Sequence, residues 1–301
     1  MLIDNFGRKV TNLRVVLTKR CNLKCFYCHK EGENSCGSEI PAERVIEIVK
    51  AFYDLGIKKL KFTGGEPLLR KDLFDILCNL PKFEEVSMTT NGVLLEDAAA
   101  ELKECGLDRV NVSLDTLDED KFLRITGQRG LRKVLSGIEE ACNVDLTPLK
   151  INMVVMKNIN DNEIDNLLAY SNSLNKKEIK TILQLIELLP YGELKKYYID
   201  ISEIEKRYEN IAYKILIRSM HHRKQYWTSR GIIEFVKPID NTEFCLNCNR
   251  IRLTSDGNIK LCLLSDEIVK LDGLHGKDLK DAIKRAVMLR RPKFATLKSF
   301  L

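Results

Sequence analysis

Three cysteines stand within eight residues near the start of the chain, and their spacing is the clearest chemical signal in the sequence. Cys21, Cys25 and Cys28 follow the apolar run 13–17, which predicts a short strand with the cysteines in the loop at its carboxyl end. Three thiolates are one too few for a closed zinc site and one too few to saturate a four-iron cubane. A cluster held in this way keeps one iron open for another ligand. The alternatives are a disulfide cluster, or a zinc knuckle completed by His29.

A second set of three cysteines lies near the other end of the chain. Cys245 and Cys248 form a CxxC pair, and thirteen residues separate Cys248 from Cys262. The Asp256-Gly257 turn between them predicts a hairpin that returns Cys262 to the side of the pair. No fourth thiol is evident, so a second open cluster is predicted. The alternative is a structural zinc site completed by a histidine such as His275.

Two arginines lie between the cysteines of the second set. Arg250 and Arg252 alternate on the first strand of the predicted hairpin, so both guanidinium groups can point at one anion. Arginine forks two hydrogen bonds to a phosphate and never loses its charge, which favours a phosphate-rich ligand. The plain alternative is a pair of solvated arginines.

Composition narrows the class of protein. The chain has 301 residues, 44% of them hydrophobic, which suits one large or two ordinary globular domains. No run of about 18 uncharged apolar residues and no signal-like N-terminus is present, so we expect a cytoplasmic protein without a membrane span. In that compartment the ten cysteines are expected to stay reduced unless metal holds them. A net charge of +6 without a long basic run argues against nucleic acid and for a local anion site.

Strands and helices alternate along most of the chain. Strands are predicted at 13–17, 57–62, 85–89, 108–114, 149–156 and 181–188, with helices between them. Such units predict an α/β fold with a parallel sheet, right-handed crossovers and functional loops at the carboxyl ends of the strands. Six units are too few for a full eight-stranded barrel, so we expect a partial TIM-like (βα)6 barrel whose mouth is closed by the C-terminal region.

The predicted domain boundary lies near Gly192. It separates a barrel at 1–192 from a C-terminal region at 193–301 that carries the second cysteine set. Within that region 193–217 is expected to be helical and 231–236 to be a strand. Four further cysteines stand singly. Cys36 falls in a loop, where a thiol can react, whereas the other three are expected to be free and buried in helices: Cys78, Cys105 and Cys142.

The motifs together resemble the GTP 3′,8-cyclase family of molybdenum cofactor biosynthesis, within the radical S-adenosylmethionine (radical SAM) superfamily. The resemblance covers nearly the whole chain in the same order, and the Arg-x-Arg insertion makes it specific. It is carried by both cysteine sets and by Thr63-Gly64-Gly65-Glu66-Pro67, Thr89-Thr90-Asn91-Gly92, Ser113-Leu114-Asp115-Thr116-Leu117-Asp118 and Ile125-Thr126-Gly127.

The resemblance implies a reaction and its cofactors. Two 4Fe-4S clusters and SAM are implied, the first cluster cleaving SAM to a 5′-deoxyadenosyl radical and the second contacting the guanine base. The radical acts at ribose C3′ of GTP, and the product is (8S)-3′,8-cyclo-7,8-dihydroguanosine 5′-triphosphate. Implied partners are an electron donor and the cyclic pyranopterin monophosphate synthase that acts next, and the family also allows a homodimer.

The resemblance also assigns residues. The cluster ligands are the six cysteines of the two sets. The SAM contacts are Tyr27, Gly64, Gly65, Glu66, Ser113 and Leu189, and the GTP contacts are Arg14, Lys61, Thr89, Lys150, Arg250, Ile251 and Arg252.

The chain departs from the family pattern at three places. Lys61 stands where many members have arginine, and Leu189 stands where a methionine is common. The chain ends at 298–301 without the Gly-Gly tail of many members.

Two other functions fit part of the pattern. A radical SAM maturase acting on a peptide would use the second cluster to conduct electrons, and would need neither Arg250 nor Arg252. A non-catalytic iron–sulfur or zinc module would bind metal without cleaving SAM.

Overall fold

The computed structural model describes residues 1–33, 37–175, 178, 180–294, 296 and 297. Cys36 and the chain end at 298–301 lie outside the described residues, so the expectations about them stay untested. The strands are β1 (Leu2–Ile3), β2 (Lys9–Val10), β3 (Asn12–Val16), β4 (Lys59–Thr63), β5 (Glu85–Thr90), β6 (Arg109–Ser113), β7 (Leu149–Val155), β8 (Thr181–Glu187), β9 (Lys214–Ile217), β10 (Lys224–Thr228), β11 (Gly231–Val236), β12 (Arg250–Leu253), β13 (Ile259–Lys260) and β14 (Ile268–Val269).

The helices occupy most of the crossovers. They are α1 (Ala42–Asp54), α2 (Leu73–Cys78), α3 (Leu95–Glu104), α4 (Glu119–Thr126), α5 (Leu131–Asn143), α6 (Ile164–Ser173), α7 (Ser202–Ile211), α8 (Thr242–Leu246) and α9 (Gly276–Leu289).

One twelve-stranded sheet forms the body of the described structure. Its order is β14-β13-β12-β3-β4-β5-β6-β7-β8-β11-β10-β9, and the eight strands from β12 to β11 run parallel. The six predicted strand-helix units are the central part of this run, so the predicted α/β fold is confirmed. Strands β11 and β12 extend it on opposite sides. The sheet therefore continues through the predicted boundary near Gly192, and the division into 1–192 and 193–301 stays a prediction.

The helices bury their apolar faces on the sheet because their hydrophobic residues recur at helical spacing. In α1 the fully buried positions are Ile48, Val49 and Phe52, all on one face. Helix α4 has a capping residue at each of its ends. The Asp118 carboxylate accepts from Lys121 N at its start (2.8 Å), and Gly127 in the left-handed region ends it.

Two expectations about the elements are wrong. Only 202–211 of the span 193–217 forms a full α-helix. Lys214–Ile217 is a strand paired antiparallel with β10, which suits its β-branched residues. Cys78 and Cys105 are not free buried thiols, because the structure joins them in a disulfide with Cα atoms 4.6 Å apart. They close the ends of α2 and α3, which pack side by side. Cys142 is free and buried, as expected.

Candidate active site

The first cysteine set lies in a loop held at the carboxyl end of β3. Lys24 N donates to Thr126 O (2.7 Å) and Phe26 N donates to Ile125 O (3.1 Å), so the loop is fixed to the end of α4. Cys21, Cys25 and Cys28 are free and all line one cavity of about 170 Å³.

Backbone groups around this set suit a negatively charged cluster. Leu23 N donates to Cys21 Sγ and Lys30 N donates to Cys28 Sγ, both at 3.4 Å. Amide donors to cluster sulfurs stabilise the negative charge of a bound cluster. The residues present therefore fit a 4Fe-4S cluster with three protein ligands.

The Gly-Gly turn after β4 packs directly on the segment that leads into Cys21. Gly65 N donates to Thr18 O (2.7 Å) and Glu66 N donates to Arg20 O (2.8 Å). A Cβ on Gly64 would lie 2.5 Å from Thr18 O, and a Cβ on Gly65 would lie 2.2 Å from Arg20 O. Both glycines are thus required by close approach of two backbone segments. Their predicted approach to SAM stays a prediction.

Glu66 connects this turn to the next strand end. It is fully buried and accepts from Thr90 Oγ1 (2.7 Å), Asn91 N (2.7 Å) and Leu68 N (3.1 Å). Burial raises the pKa of Glu66 to about 7, against the effect of these donors. Glu66 therefore fixes the relative position of two loops that border the first cysteine set.

Asp115 holds the aromatic residue within that set. Tyr27 Oη donates to Asp115 Oδ2 (2.5 Å), and Val154 N donates to Asp115 Oδ1 (2.8 Å). Burial raises the pKa of Asp115 to about 6. The sequence motif that contains Asp115 does not indicate this role, because Tyr27 is distant along the chain. Ser113 ends β6 two residues before Asp115, and both residues line the smaller cavity with the first cysteine set.

The second cysteine set lines a larger cavity of about 340 Å³ at the mouth of the parallel strands. The predicted hairpin is confirmed, since β12 and β13 pair antiparallel and carry Cys262 back toward Cys245 and Cys248. His275 does not approach them. It pairs instead with Glu47 of α1 (Nδ1 to Oε1, 2.8 Å) and is two-thirds exposed.

Two arginines from opposite ends of the chain flank the second set. Arg8 Nη1 donates to Cys245 O (3.0 Å), and Arg290 Nη2 donates to Cys248 O (3.1 Å) and lies 3.7 Å from Cys248 Sγ. Asp4 accepts from both guanidinium groups at 2.8 Å and fixes them. Although burial opposes it, Arg290 and Arg250 lower the pKa of the Cys248 thiol. These surroundings fit thiolates that hold an anionic cluster.

The two cavities adjoin. Five residues line both: Tyr27, His29, Glu31, Thr89 and Ser113. Within the part of the chain that the structure describes, no three His, Cys, Asp or Glu side chains could hold a single metal ion.

Strand pairing aligns the predicted anion-binding cations. Arg252 lies opposite Arg14 on β3, and Arg14 lies opposite Lys61 on β4. Arg14, Arg250 and Arg252 all line the larger cavity.

Several buried nitrogens around this cavity lack a hydrogen-bond partner in the described structure. They belong to side chains that line the cavity: Arg8 Nη2, Arg14 Nε, His221 Nδ1, Arg223 Nε and Arg290 Nε. Buried donors without partners are costly and mark the position of a ligand. Four of the five belong to arginines, which suits an anionic ligand at this cavity.

Three predicted GTP contacts do not reach the cavities with their side chains. Ile251 is fully buried in the core on the opposite face of β12. Lys61 lies within the sheet, where burial and then the charges of Arg109 and Arg14 lower its pKa. Lys150 donates to Glu234 Oε2 (2.5 Å) and Gln184 Oε1 (3.1 Å) and is 4% exposed. Thr89, a predicted GTP contact, lines both cavities, and Leu189, a predicted SAM contact, lines the larger one.

Glu234 is the buried anion on which Lys150 depends. It also pairs with Arg223 (2.9 Å), and although burial opposes it, Lys150 and Arg223 lower the pKa of Glu234. Replacing Glu234 with alanine leaves two buried cations without an acid, and should destabilise the fold by about 3–5 kcal/mol. The measurement is the midpoint of urea unfolding. Glu209→Ala removes an exposed pair with Lys224 (2.9 Å) and should cost at most about 1 kcal/mol. Equal shifts for the two variants would contradict a buried, mutually dependent pair.

Comparison with known proteins gives the family. Residues 15–170 match the radical SAM superfamily, and residues 181–296 match the family described as Molybdenum Cofactor Synthesis C. A probable GTP 3′,8-cyclase of Archaeoglobus fulgidus is 59% identical over 98% of this chain and 99% of its own length. A probable GTP 3′,8-cyclase of Methanocella arvoryzae is 48% identical over 98% of this chain and 95% of its own.

The chain belongs to the GTP 3′,8-cyclase family. This GTP 3′,8-cyclase family member also shares its fold with solved radical SAM enzymes. Streptococcus suis SuiB bound to S-adenosylmethionine superposes with a TM-score of 0.66 at 19% identity, over 91% of this chain and 63% of SuiB. The enzyme anSMEcpe with bound AdoMet gives 0.57 at 21% identity, over 91% and 80%. Among the described residues, no helix is both long and apolar enough to cross a membrane.

Proposed function

We propose that this enzyme converts GTP to (8S)-3′,8-cyclo-7,8-dihydroguanosine 5′-triphosphate, the first step of molybdenum cofactor biosynthesis. The observation that carries the proposal is the meeting of two open cysteine trios at adjoining cavities, with arginines lining the larger one. A peptide maturase gains nothing from a cluster of buried arginine donors, whereas a nucleoside triphosphate needs it.

The smaller cavity is assigned to SAM. Cys21, Cys25 and Cys28 would hold a 4Fe-4S cluster, which when reduced would supply the electron that splits SAM into methionine and a 5′-deoxyadenosyl radical. The protein orients SAM through the Gly64-Gly65 backbone, the Tyr27 backbone and Ser113, and Glu66 fixes the turn that carries the glycines.

The larger cavity is assigned to GTP. Arg14, Arg250 and Arg252 neutralise the phosphates, and Thr89 lies where the two cavities meet, next to the ribose. A second cluster on Cys245, Cys248 and Cys262 would contact the guanine base. Contact with the base from one side would direct the ribose C3′ toward the smaller cavity. A radical step at C3′ requires this orientation.

Lys61, Lys150 and Ile251 take supporting roles in this proposal. Lys150 is buried and Lys61 half-buried on strands next to the arginines, and the Ile251 backbone lies between Arg250 and Arg252 on the same strand. Leu189 would contact SAM or GTP through its backbone, so loss of the common methionine costs little.

The proposal also includes partners. An electron donor must reduce the first cluster, and the cyclic pyranopterin monophosphate synthase would consume the product. A cytoplasmic location and a homodimer remain part of the proposal.

One experiment tests the function directly. After anaerobic reconstitution we expect about eight irons per chain, and addition of dithionite, SAM and GTP should yield 5′-deoxyadenosine together with a GTP-derived cyclic product. SAM cleavage without a GTP product would favour the maturase alternative. Iron without SAM cleavage, or zinc alone, would defeat the proposal.

The arginine assignment predicts a split between binding and SAM cleavage. Arg14, Arg250 and Arg252 line the larger cavity and form what we call the phosphate seat. Arg252→Ala removes a charged donor from this seat and should weaken GTP binding about ten- to a hundredfold. It should leave uncoupled SAM cleavage in place. Isothermal titration with GTP and assay of 5′-deoxyadenosine measure the two effects. Arg129→Ala, at an exposed pair with Asp120 (3.5 Å), is the control and should leave GTP affinity unchanged. An unchanged affinity in Arg252→Ala would refute the assignment.

A further inference from the structure

Glu31 occupies the centre of the arginine cluster, although no motif in the sequence marks it. Its carboxylate accepts from Arg252 Nη1 (2.6 Å), from Arg14 Nη1 (3.2 Å) and from Thr63 Oγ1 (2.9 Å). The Glu31 side chain is 12% exposed and lines both cavities. An anion of this chain therefore lies between the two arginines that are aligned for a phosphate.

The carboxylate and a phosphate cannot both use these donors. Arg252 and Arg14 face each other across β12 and β3, and Glu31 bridges them with its two oxygens. A phosphate oxygen at hydrogen-bond distance from the same nitrogens would lie against the carboxylate, like charge to like charge. A phosphate that binds through these same two nitrogens therefore displaces Glu31.

The backbone at Glu31 has an uncommon conformation. Lys30 (φ 49°) and Glu31 (φ 52°) both lie in the left-handed region, which disfavours residues other than glycine. Glu33, two residues further along, is held in place because Ser255 N and Ser255 Oγ donate to its carboxylate at 3.0 and 2.8 Å. Glu31 forms its ion pairs from this uncommon backbone conformation.

We propose that Glu31 is a specificity-determining residue of the phosphate seat. Its carboxylate holds the seat between Arg14 and Arg252 until a ligand that carries phosphate charge displaces it. Weak anions and nucleosides without phosphates leave Glu31 in place, whereas a triphosphate displaces it. This inference rests on the proposed function for the identity of the ligand as GTP, but the seat itself requires only an inorganic polyphosphate.

The test is the substitution Glu31→Gln, which keeps the length and the hydrogen bond to Thr63 and removes the charge. Calorimetric titration with inorganic triphosphate and with GTP should show binding about tenfold tighter than in the unsubstituted enzyme. Guanosine, which lacks phosphates, should bind with unchanged affinity. Glu203→Gln, at an exposed pair with Lys206 (2.7 Å), is the control and should leave all three affinities within about twofold.

The outcomes separate the inference from the proposed function. Weaker or unchanged triphosphate binding in Glu31→Gln, equally tighter guanosine binding, or no triphosphate binding by either protein would each overturn the inference. In an Arg252→Ala background the gain from Glu31→Gln should fall below about threefold, and a full gain there would also overturn it. If triphosphate binding tightens as expected but GTP gives no cyclic product, the seat stands and the cyclase proposal fails.

Discussion

Cys262→Ala should abolish the GTP-derived product while 5′-deoxyadenosine continues to form. Cys262 follows β13 and lines the larger cavity. It is far along the chain from the first cysteine set, which lines the smaller cavity beside the Gly-Gly turn. Without its thiolate the second set has two cysteines, which is too few to hold a cubane. The guanine base then loses its orienting contact, and loss of orientation alone can cost many orders of magnitude in a bond-forming step.

The readouts for Cys262→Ala are iron content, 5′-deoxyadenosine and the cyclic product. Iron should fall from about eight to about four per chain after reconstitution. Cys142→Ala is the control, because Cys142 is a free buried thiol in α5 away from both cavities, and it should keep the iron and the product. Retention of the product by Cys262→Ala, or loss of all SAM cleavage, would contradict separate roles for the two sets.

Short-range patterns in the sequence were enough to predict both cysteine sets and the arginine strand. The loop with Cys21 follows a strand because five apolar-rich residues precede it, and alternation alone puts Arg250 and Arg252 on one face. The hairpin at Asp256-Gly257 follows from a turn that requires positive φ at glycine. Each of these signals depends on residues within about fifteen positions of one another.

Contacts between distant segments could not be predicted in the same way. Arg8 and Arg290 meet at Asp4 from opposite ends of the chain, and no local pattern marks either of them. The Cys78–Cys105 disulfide depends on how α2 and α3 pack. The family resemblance predicts a phosphate contact for Lys150 on β7. The strand order β7-β8-β11 instead places Glu234 of β11 where it accepts from the Lys150 amine.

Glu31 shows the same limit at the site itself. It follows Cys28 by three residues in a stretch of mixed charge, which by pattern is a solvated loop. Its contacts to Arg14 and Arg252 arise only because β12 is added beside β3. The sequence therefore places arginines at this site, whereas the structure is needed to find the carboxylate that lies between Arg14 and Arg252.

Gly65→Ala should reduce SAM cleavage by more than about a hundredfold, because the new methyl group meets the backbone of residues 19 and 20. Its Cβ would lie 2.2 Å from Arg20 O and 2.7 Å from Lys19 O, and neither atom can rotate away as a side chain can. Relief requires the turn and the segment 18–20 to separate, at a cost of about 2–4 kcal/mol. The bonds from Gly65 N to Thr18 O and from Glu66 N to Arg20 O would then break.

The displaced segment leads directly into Cys21, so the damage reaches both the cluster loop and the surface assigned to SAM. Reconstituted iron, the affinity for SAM and the rate of 5′-deoxyadenosine formation measure it together. Gly106→Ala is the control, since Gly106 lies before β6, has φ +89°, and a Cβ added there would meet no described atom within 4 Å. It should cost about 1 kcal/mol of backbone strain and leave SAM cleavage nearly unchanged. If the two variants cleave SAM at similar rates, the contact between the Gly-Gly turn and the cluster loop does not position the reaction.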